Sequence, residues 1–492
     1  MHWIDVSIFV LYMVAMLGIG FFFMRKNTST EDYYVGGRTM NKWHVGLSVV
    51  ATDVGGGFSI GLGGLGFTMG LSGSWMLFTG LLGAWLSAVM IIPRVSKLSQ
   101  KVNLLTFPQV FEHLFDRRVA FIAGIISAIG YLGFTSSQIL AGAKLASATF
   151  PTLSMNQALI LLGVIAVTYT VLGGLKAVIY TDTVQWAVLM AGLVFIGIPL
   201  GLDKIGGWDA VRSTLSAEYI EFDNLSWVQL ANWGITIIPI WFVGMTLYQR
   251  IYSCRNHKEA QRAWFIAGLF EWPVMALMGV ALGLFARVGF EQGMFGYLGY
   301  ESAGDLDPEM GLPLFLRTIL PVGLMGLMMS AYFSAIMSTA DSCLMAASGS
   351  TVTDLLSRFY KIREEKQLRI SQIATLVIGV LAILIATRMT NVLDLMLLSY
   401  SVMVSGLLVP VIGGFFWKRS TTAAAIAGMI GGGGMTIFLN FTKTPLPFEL
   451  DPNFFGILTS AVLYIIISLI TSKTIKNEQD KRSSEAPIQT HQ

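Results

Sequence analysis

Apolar residues fall in long blocks with few charges, such as Trp3 to Met24, Gln185 to Leu202 and Ile370 to Thr387. Blocks of roughly 18 or more apolar residues with few charges read as membrane-crossing helices. The pattern predicts about 13 of them, at 3–24, 44–71, 75–93, 119–147, 157–174, 181–202, 228–249, 264–287, 313–348, 369–388, 392–416, 421–441 and 454–472. Two segments, 44–71 and 313–348, are too long and too rich in glycine or polar residues for simple spans, so they should be tilted, broken or extended beyond the bilayer. The expected fold class is an all-α polytopic membrane protein.

Composition agrees. Only 12% of the 492 residues are charged and 54% are hydrophobic, against about 25% charged in soluble proteins. That excludes a disordered chain, a disulfide scaffold and a nucleic-acid binder. The net charge of +3 sets up no one-signed field. Cys254 falls in a basic loop and Cys343 in an apolar block, with no histidine nearby, so neither a disulfide nor a metal site is expected. Met1 to Met24 lacks a charged leader and a small-residue cleavage site, and reads as a retained first span. With the N-terminus outside, the inward segments 25–43, 94–118, 174–180, 250–263, 354–369, 417–420 and the tail hold most of the 32 Lys and Arg. The outward segment 288–312 carries Glu291, Glu301, Asp305, Asp307 and Glu309 and no Lys or Arg. This is a positive-inside pattern. It places the C-terminus in the cytoplasm, with 1–476 as one transmembrane domain and 477–492 as a disordered tail.

Ionisable residues at membrane depth are costly and point to function. Asp53, Lys144, Asp182, Glu271, Asp341 and Asp394 stand there, Lys144 and Asp394 near enough to helix ends to reach water. Glu271 divides evenly between a structural and a transport role. Asp53 precedes Gly55-Gly56-Gly57, and three glycines permit an unwound turn whose free carbonyls coordinate a cation. The competing reading of the glycines is close helix packing. Ser334, Ser338, Asp341 and Ser342 share one helix face, a stripe of oxygen donors suited to a hard cation. Hydroxyls bonding back to their own helix explain the serines but not the acid. Asp182, after Gly173-Gly174, fits a helix cap as well as a site.

These residues carry a resemblance. The segments Asp32–Arg38, Ala51–Gly57, Gly173–Gln185, Tyr248-Gln249-Arg250, Ala335–Ser342 and Phe416-Trp417-Lys418-Arg419 occur in the order seen in the sodium:solute symporter family, which the chain resembles from residue 32 to about 419. The resemblance implies two inverted five-helix repeats, 44–202 and 228–416, each with a broken first helix. The breaks would fall at Gly55–Gly57 and among Gly234, Pro239 and Gly244. It implies a main sodium site made of the carbonyls of Ala51, Val54 and Ala335 and the hydroxyls of Ser338 and Thr339. A second sodium or proton site would use Asp182, Ser338, Asp341 and Ser342. Asp341 stands where some members carry serine, so protons are an alternative there. Asp53 matches an acid of the proline-type members beside the main site, in a coupling role. The solute pocket would draw on Phe58, Phe134, Gln138, Trp241, Gly244, Met245 and Tyr400. Gly244 and Asp53 disfavour an aromatic cage for choline.

The function implied is sodium-driven import of a small organic solute by alternating access, with sodium as the co-transported ion. The alternatives are a proton-coupled symporter and a non-transporting sensor of the same fold. No nucleophile–base pair, His-containing metal motif or phosphate loop stands in the context an enzyme requires. The partners expected are solute, sodium and the lipid bilayer, with no nucleic acid and no obligate protein. The location expected is a plasma membrane, most simply a bacterial inner membrane.

Overall fold

The computed structural model describes residues 2–24, 30–150, 152–300, 306–360 and 363–484. Helices account for the architecture, and no strand forms among the described residues; an isolated bridge joins Met40 and Cys254. The main helices are α1 (Trp3–Met24), α2 (Lys42–Met69), α3 (Trp75–Met90), α4 (Ile92–Val102), α5 (Arg117–Thr149) and α6 (Met155–Gly192). There follow α7 (Trp227–Val243), α8 (Met245–Ser253), α9 (His257–Leu269), α10 (Ala276–Glu291), α11 (Pro308–Ile319) and α12 (Leu324–Gly349). The last are α13 (Glu364–Ala386), α14 (Val392–Phe416), α15 (Thr422–Thr442) and α16 (Pro452–Ser484).

Polar residues start these helices by satisfying free amides. Asn41 accepts from Trp43 N and His44 N to open α2. Asp116 does the same for α5, and Ser154 with Gln157 forms a capping box before α6. Helix α12 is the centre of the molecule, packed by α1, α2, α5, α6 and α13. That surround explains how it buries so many hydroxyls without facing lipid.

Both over-long segments are broken. Helix α2 passes through Gly55 at φ 28 and ψ −156. The segment 313–348 divides between α11 and α12, with Gly323 at φ 87. The expected break near residue 240 falls at Gly244, between α7 and α8, while Gly234 and Pro239 stay inside α7.

Helical hydrogen bonding continues along α6 through the expected inside loop 174–180. Yet Tyr169 Oη lies 3.4 Å from Thr181 Oγ1, 12 residues away. A straight helix would separate those positions by about 18 Å. The run therefore turns back on itself, as two separate spans require.

Nine helical stretches among the described residues are long and apolar enough to cross a membrane, with shorter apolar helices at Trp3–Met16 and Met155–Val171. The count of 13 is not confirmed on that measure. Ile60–Met90 joins two expected spans, and α12 is too polar to qualify. Helix α16 runs past Asn477 to Ser484, into the expected tail, since extending an existing helix costs far less than starting one. Residues 485–492 lie outside the described residues.

Lys144 departs from expectation. It does not reach water: its Nζ is buried and lies 2.5 Å from Asp307 Oδ2 and 2.6 Å from Glu309 Oε2. Glu309 also accepts from Val392 N and Leu393 N, each at 3.0 Å, so one ammonium ties α5 to the starts of α11 and α14. Acids from the loop have folded inward to pair it. Lys144→Met should leave Glu309 buried beside Asp307 and cost roughly 2–4 kcal/mol, less than a fully buried pair because Asp307 is partly solvated. The check is the melting temperature in detergent. Asp394 is exposed and accepts from Asn391 Nδ2, as a helix-end acid should.

Candidate functional site

The Gly55 break and α12 meet at one point. Thr339 Oγ1 lies 3.1 Å from Ala51 O and 3.3 Å from Ala335 O. A Cβ on Gly55 would stand 2.4 Å from that same hydroxyl, so only glycine permits the approach as well as the positive φ. Gly56 N donates to Gln138 Oε1 at 2.8 Å, which places α5 on the other side of the break. Ala51, Ala335 and Thr339 are thus brought together. Val54 lies in the helix, but its side chain and that of Phe58 fall outside the described residues.

Ser338 is turned towards another partner. It donates to Asp182 Oδ1, and Ser48 donates to Asp182 Oδ2 at 2.5 Å. Beside them sits the Arg250 guanidinium, fully buried. Its Nε donates to Ser48 Oγ at 3.0 Å, and its Nη2 donates to Ser342 Oγ at 2.9 Å, to Asp182 Oδ2 at 3.3 Å and to Thr52 Oγ1. Asp182 is therefore not a mere helix cap. It is the buried counter-ion of Arg250, and the pair locks α2, α6, α8 and α12 together.

Asp341 is separated from that group. Its Oδ1 accepts from Thr170 Oγ1 at 2.5 Å, and its Oδ2 has no donor. The polar stripe of α12 thus serves two sides, with Ser338 and Ser342 towards Arg250 and Asp182, and Ser334 and Asp341 towards α1 and α6.

Asp53, buried, meets the carboxyl group of Glu271 and the hydroxyl of Tyr400. Neither Glu271 oxygen has a hydrogen-bond donor, and Gly80 leaves the room that this carboxyl occupies. Phe134 packs edge-on to Tyr400, ring centres 4.9 Å apart. Phe134, Gln138, Tyr400 and Glu271 therefore gather against the broken helix around Asp53 and Gly56. Trp241 packs instead against Gly83 and Trp264, and Met245 Sδ accepts from Phe107 N at 3.0 Å. Gly244 is the break itself.

The family model for the sodium:solute symporter family matches residues 33–432. The chain belongs to that family. This sodium:solute symporter is 28% identical to the high-affinity proline transporter PutP of Bacillus subtilis (strain 168), over 94% of this chain and 98% of that one. It is 26% identical to the sodium/proline symporter of Escherichia coli (strain K12), over 98% and 96%, and 26% identical to the sodium/glucose cotransporter of Vibrio parahaemolyticus, over 96% and 91%. Its fold matches a sodium-coupled sialic acid symporter in a substrate-bound outward-open state, with a TM-score of 0.79 at 22% identity, over 96% of this chain and 98% of that one. The symporter is a multi-pass membrane protein that couples sodium to solute import, and it is not an enzyme.

One residue of the site, Arg250, is not singled out by the sequence. Its Tyr248-Gln249-Arg250 setting belongs to the motif set, yet its charge reads as one of the inward loop cations at 250–263. Its burial has a signal, since it follows helix-forming residues without a break and three of its hydroxyl or acid partners, Thr52, Asp182 and Ser342, lie in the other motifs. Glu271 stands mid-span in the sequence as a candidate, and its approach to Asp53 is a tertiary fact. Cys254 is also buried, which pushes its thiol up and makes it inert. Cys343 is free as well.

Proposed function

We propose that sodium binds the carbonyls of Ala51, Val54 and Ala335 with the hydroxyls of Ser338 and Thr339, and that this holds α2 against α12 while the solute pocket forms. The observation that carries the reading is the Thr339 hydroxyl seated between Ala51 O and Ala335 O across the Gly55 break. Sodium oxygen ligation would draw these groups tighter and recruit Ser338. Coupling follows if each ligand raises the other's affinity. One charge moving through 100 mV contributes ~2.3 kcal/mol, roughly fortyfold accumulation. In this reading the N-terminus lies outside, the C-terminus lies in the cytoplasm, and 44–202 and 228–416 rock as inverted repeats.

The solute bears an amino group. Asp53 and Glu271 touch each other in the protein interior, and no Lys or Arg among the described residues forms an ion pair with either. Two buried carboxyl groups so placed share a proton or are balanced by a bound cation, and an amine-bearing solute would supply that cation. The proline transporters among the relatives carry a solute of that kind. Phe134 and Tyr400 would cover its apolar part. The test is the melting temperature of the detergent-purified protein against amino acids, sugars and carboxylates, in sodium chloride or choline chloride. A ligand that binds the folded state raises its stability. An amine-bearing solute that stabilises only in sodium is the expected result. Stabilisation by a sugar or an amine-free carboxylate would contradict the solute class. Uptake driven by a pH gradient without sodium would favour the proton-coupled reading.

A further inference from the structure

Helix α4 follows α3 after a single turn residue and is amphipathic. Arg94, Lys97, Leu98 and Lys101 share one face of it, at helical spacing. The opposite face, Ile92, Val95, Ser96 and Ser99, is buried, and the helix packs on α8 and α9. The basic face borders a cavity of about 550 Å³, which Arg94, Lys97, Lys101 and His113 line together with Leu98, Leu114 and Phe415. Arg94 joins the ends of two spans there. Its Nη1 donates to Met90 O at 2.8 Å, and its guanidinium lies 4.1 Å from the centre of the Phe416 ring. Met90 and Phe416 end the membrane-length stretches Ile60–Met90 and Val392–Phe416. The cavity therefore lies where the hydrocarbon of a bilayer gives way to headgroups.

Among the described residues no acid lines the cavity, and neither Lys97 nor Lys101 forms an ion pair. Like charges one helical turn apart repel, so this face carries positive charge that the fold leaves uncompensated. A basic face that served only to meet water would need neither a hollow nor an apolar floor. The mixed lining suits a ligand with an anionic head and an apolar body. Segment 94–118 is inward in the positive-inside pattern, and basic pockets at span ends on that side suit anionic headgroups.

We propose that this cavity is a headgroup site for an anionic phospholipid. The lipid phosphodiester pairs with Lys97 and Lys101, and the glycerol with the first carbons of the acyl chains covers Leu98, Leu114 and Phe415. Arg94, held by Met90 O and the Phe416 ring, is a positioning residue that keeps the two span ends apart by a fixed distance. Phosphate free in solution has the charge for the lysines but would leave the apolar floor uncovered. Bound lipid would steady α4, and through it α8, the helix that carries Arg250. The inference does not depend on which ions or which solute the symporter carries.

The experiment is the melting temperature of the full-length protein in detergent at low ionic strength, titrated with phosphatidylglycerol, phosphatidylcholine or inorganic phosphate. Phosphatidylglycerol should raise it at lower concentration than phosphatidylcholine, and inorganic phosphate should not raise it over the same range. Added salt should weaken the response. Both lysines are exposed, so Lys97→Gln/Lys101→Gln should keep the lipid-free melting temperature. It should need roughly thirtyfold more phosphatidylglycerol for the same rise, about fivefold per lysine. Lys258→Gln/Arg262→Gln removes the same charge from another inward segment, outside the cavity, and should respond as wild type does. If the double variant is less stable without lipid, the single variants carry the test, each about fivefold weaker. Equal responses of wild type to the two lipids would overturn the proposal, as would an unchanged phosphatidylglycerol response in Lys97→Gln/Lys101→Gln. The same loss in Lys258→Gln/Arg262→Gln would reduce the effect to diffuse surface charge and overturn the site. Stabilisation by inorganic phosphate equal to that by phosphatidylglycerol would assign the cavity to a soluble anion instead of a lipid.

Discussion

Arg250→Ala should all but abolish the folded, detergent-stable symporter. Arg250 is fully buried and its side chain donates to Ser48, Thr52, Asp182 and Ser342, and to the Thr246 carbonyl at 3.2 Å. Removing it leaves the Asp182 carboxylate in the protein interior with two hydroxyl donors and no counter-charge. Breaking a buried ion pair in this way costs about 3–5 kcal/mol, a large part of the roughly 5–15 kcal/mol that holds a typical fold. Arg250→Lys should rescue little, because one ammonium cannot reach all the acceptors spread around a planar fork. Asp182→Asn in the Arg250→Ala background should recover part of the loss by removing the stranded charge. Yield of monodisperse protein and melting temperature read all three. A melting temperature unchanged by Arg250→Ala would show that this pair does not hold α8 to α2 and α6.

Gly55→Ala is expected to reduce sodium-dependent uptake by at least about tenfold, a loss of 1.4 kcal/mol or more in coupling. Two effects act together. The backbone at φ 28 strains any residue with a Cβ, and that Cβ would lie 2.4 Å from Thr339 Oγ1 and 2.7 Å from Thr339 Cγ2. The side chain that must give way is the one between Ala51 O and Ala335 O. Gly56→Ala is the control. Its Cβ would meet Ile336 Cγ2 at 2.7 Å and Ala141 Cβ at 2.9 Å, an apolar crowding beside the site rather than in it. It should cost stability but leave the sodium midpoint nearer wild type. Sodium titration of uptake separates them, and equal midpoints for both variants would argue that the break only packs helices.

Much of this site was legible because its chemistry is local. A glycine run beside Asp53 announces a break, and Ser334, Ser338, Asp341 and Ser342 announce a polar face on α12. What periodicity does not carry is which partner each face meets. Asp182 fits a cap or a site equally well in sequence, and only Arg250 packed against it decides between them. Lys144 sits near a helix end as expected, yet Asp307 and Glu309 come in from the loop to bury it. The polar content that makes α12 functional is also what hides it from a hydropathy count. The fold-back within α6 shows in the contact of Tyr169 with Thr181, which no one-dimensional pattern reveals.

The sodium midpoint of solute uptake in Ser338→Ala/Thr339→Ala protein, reconstituted alongside wild type, bears most directly on the site. The account predicts that sodium dependence is lost or shifted at least about tenfold, since two of the five proposed ligand oxygens are gone. Uptake at the wild-type sodium midpoint in that double variant would place the driving ion elsewhere and contradict the site built on Ala51, Ala335 and Thr339.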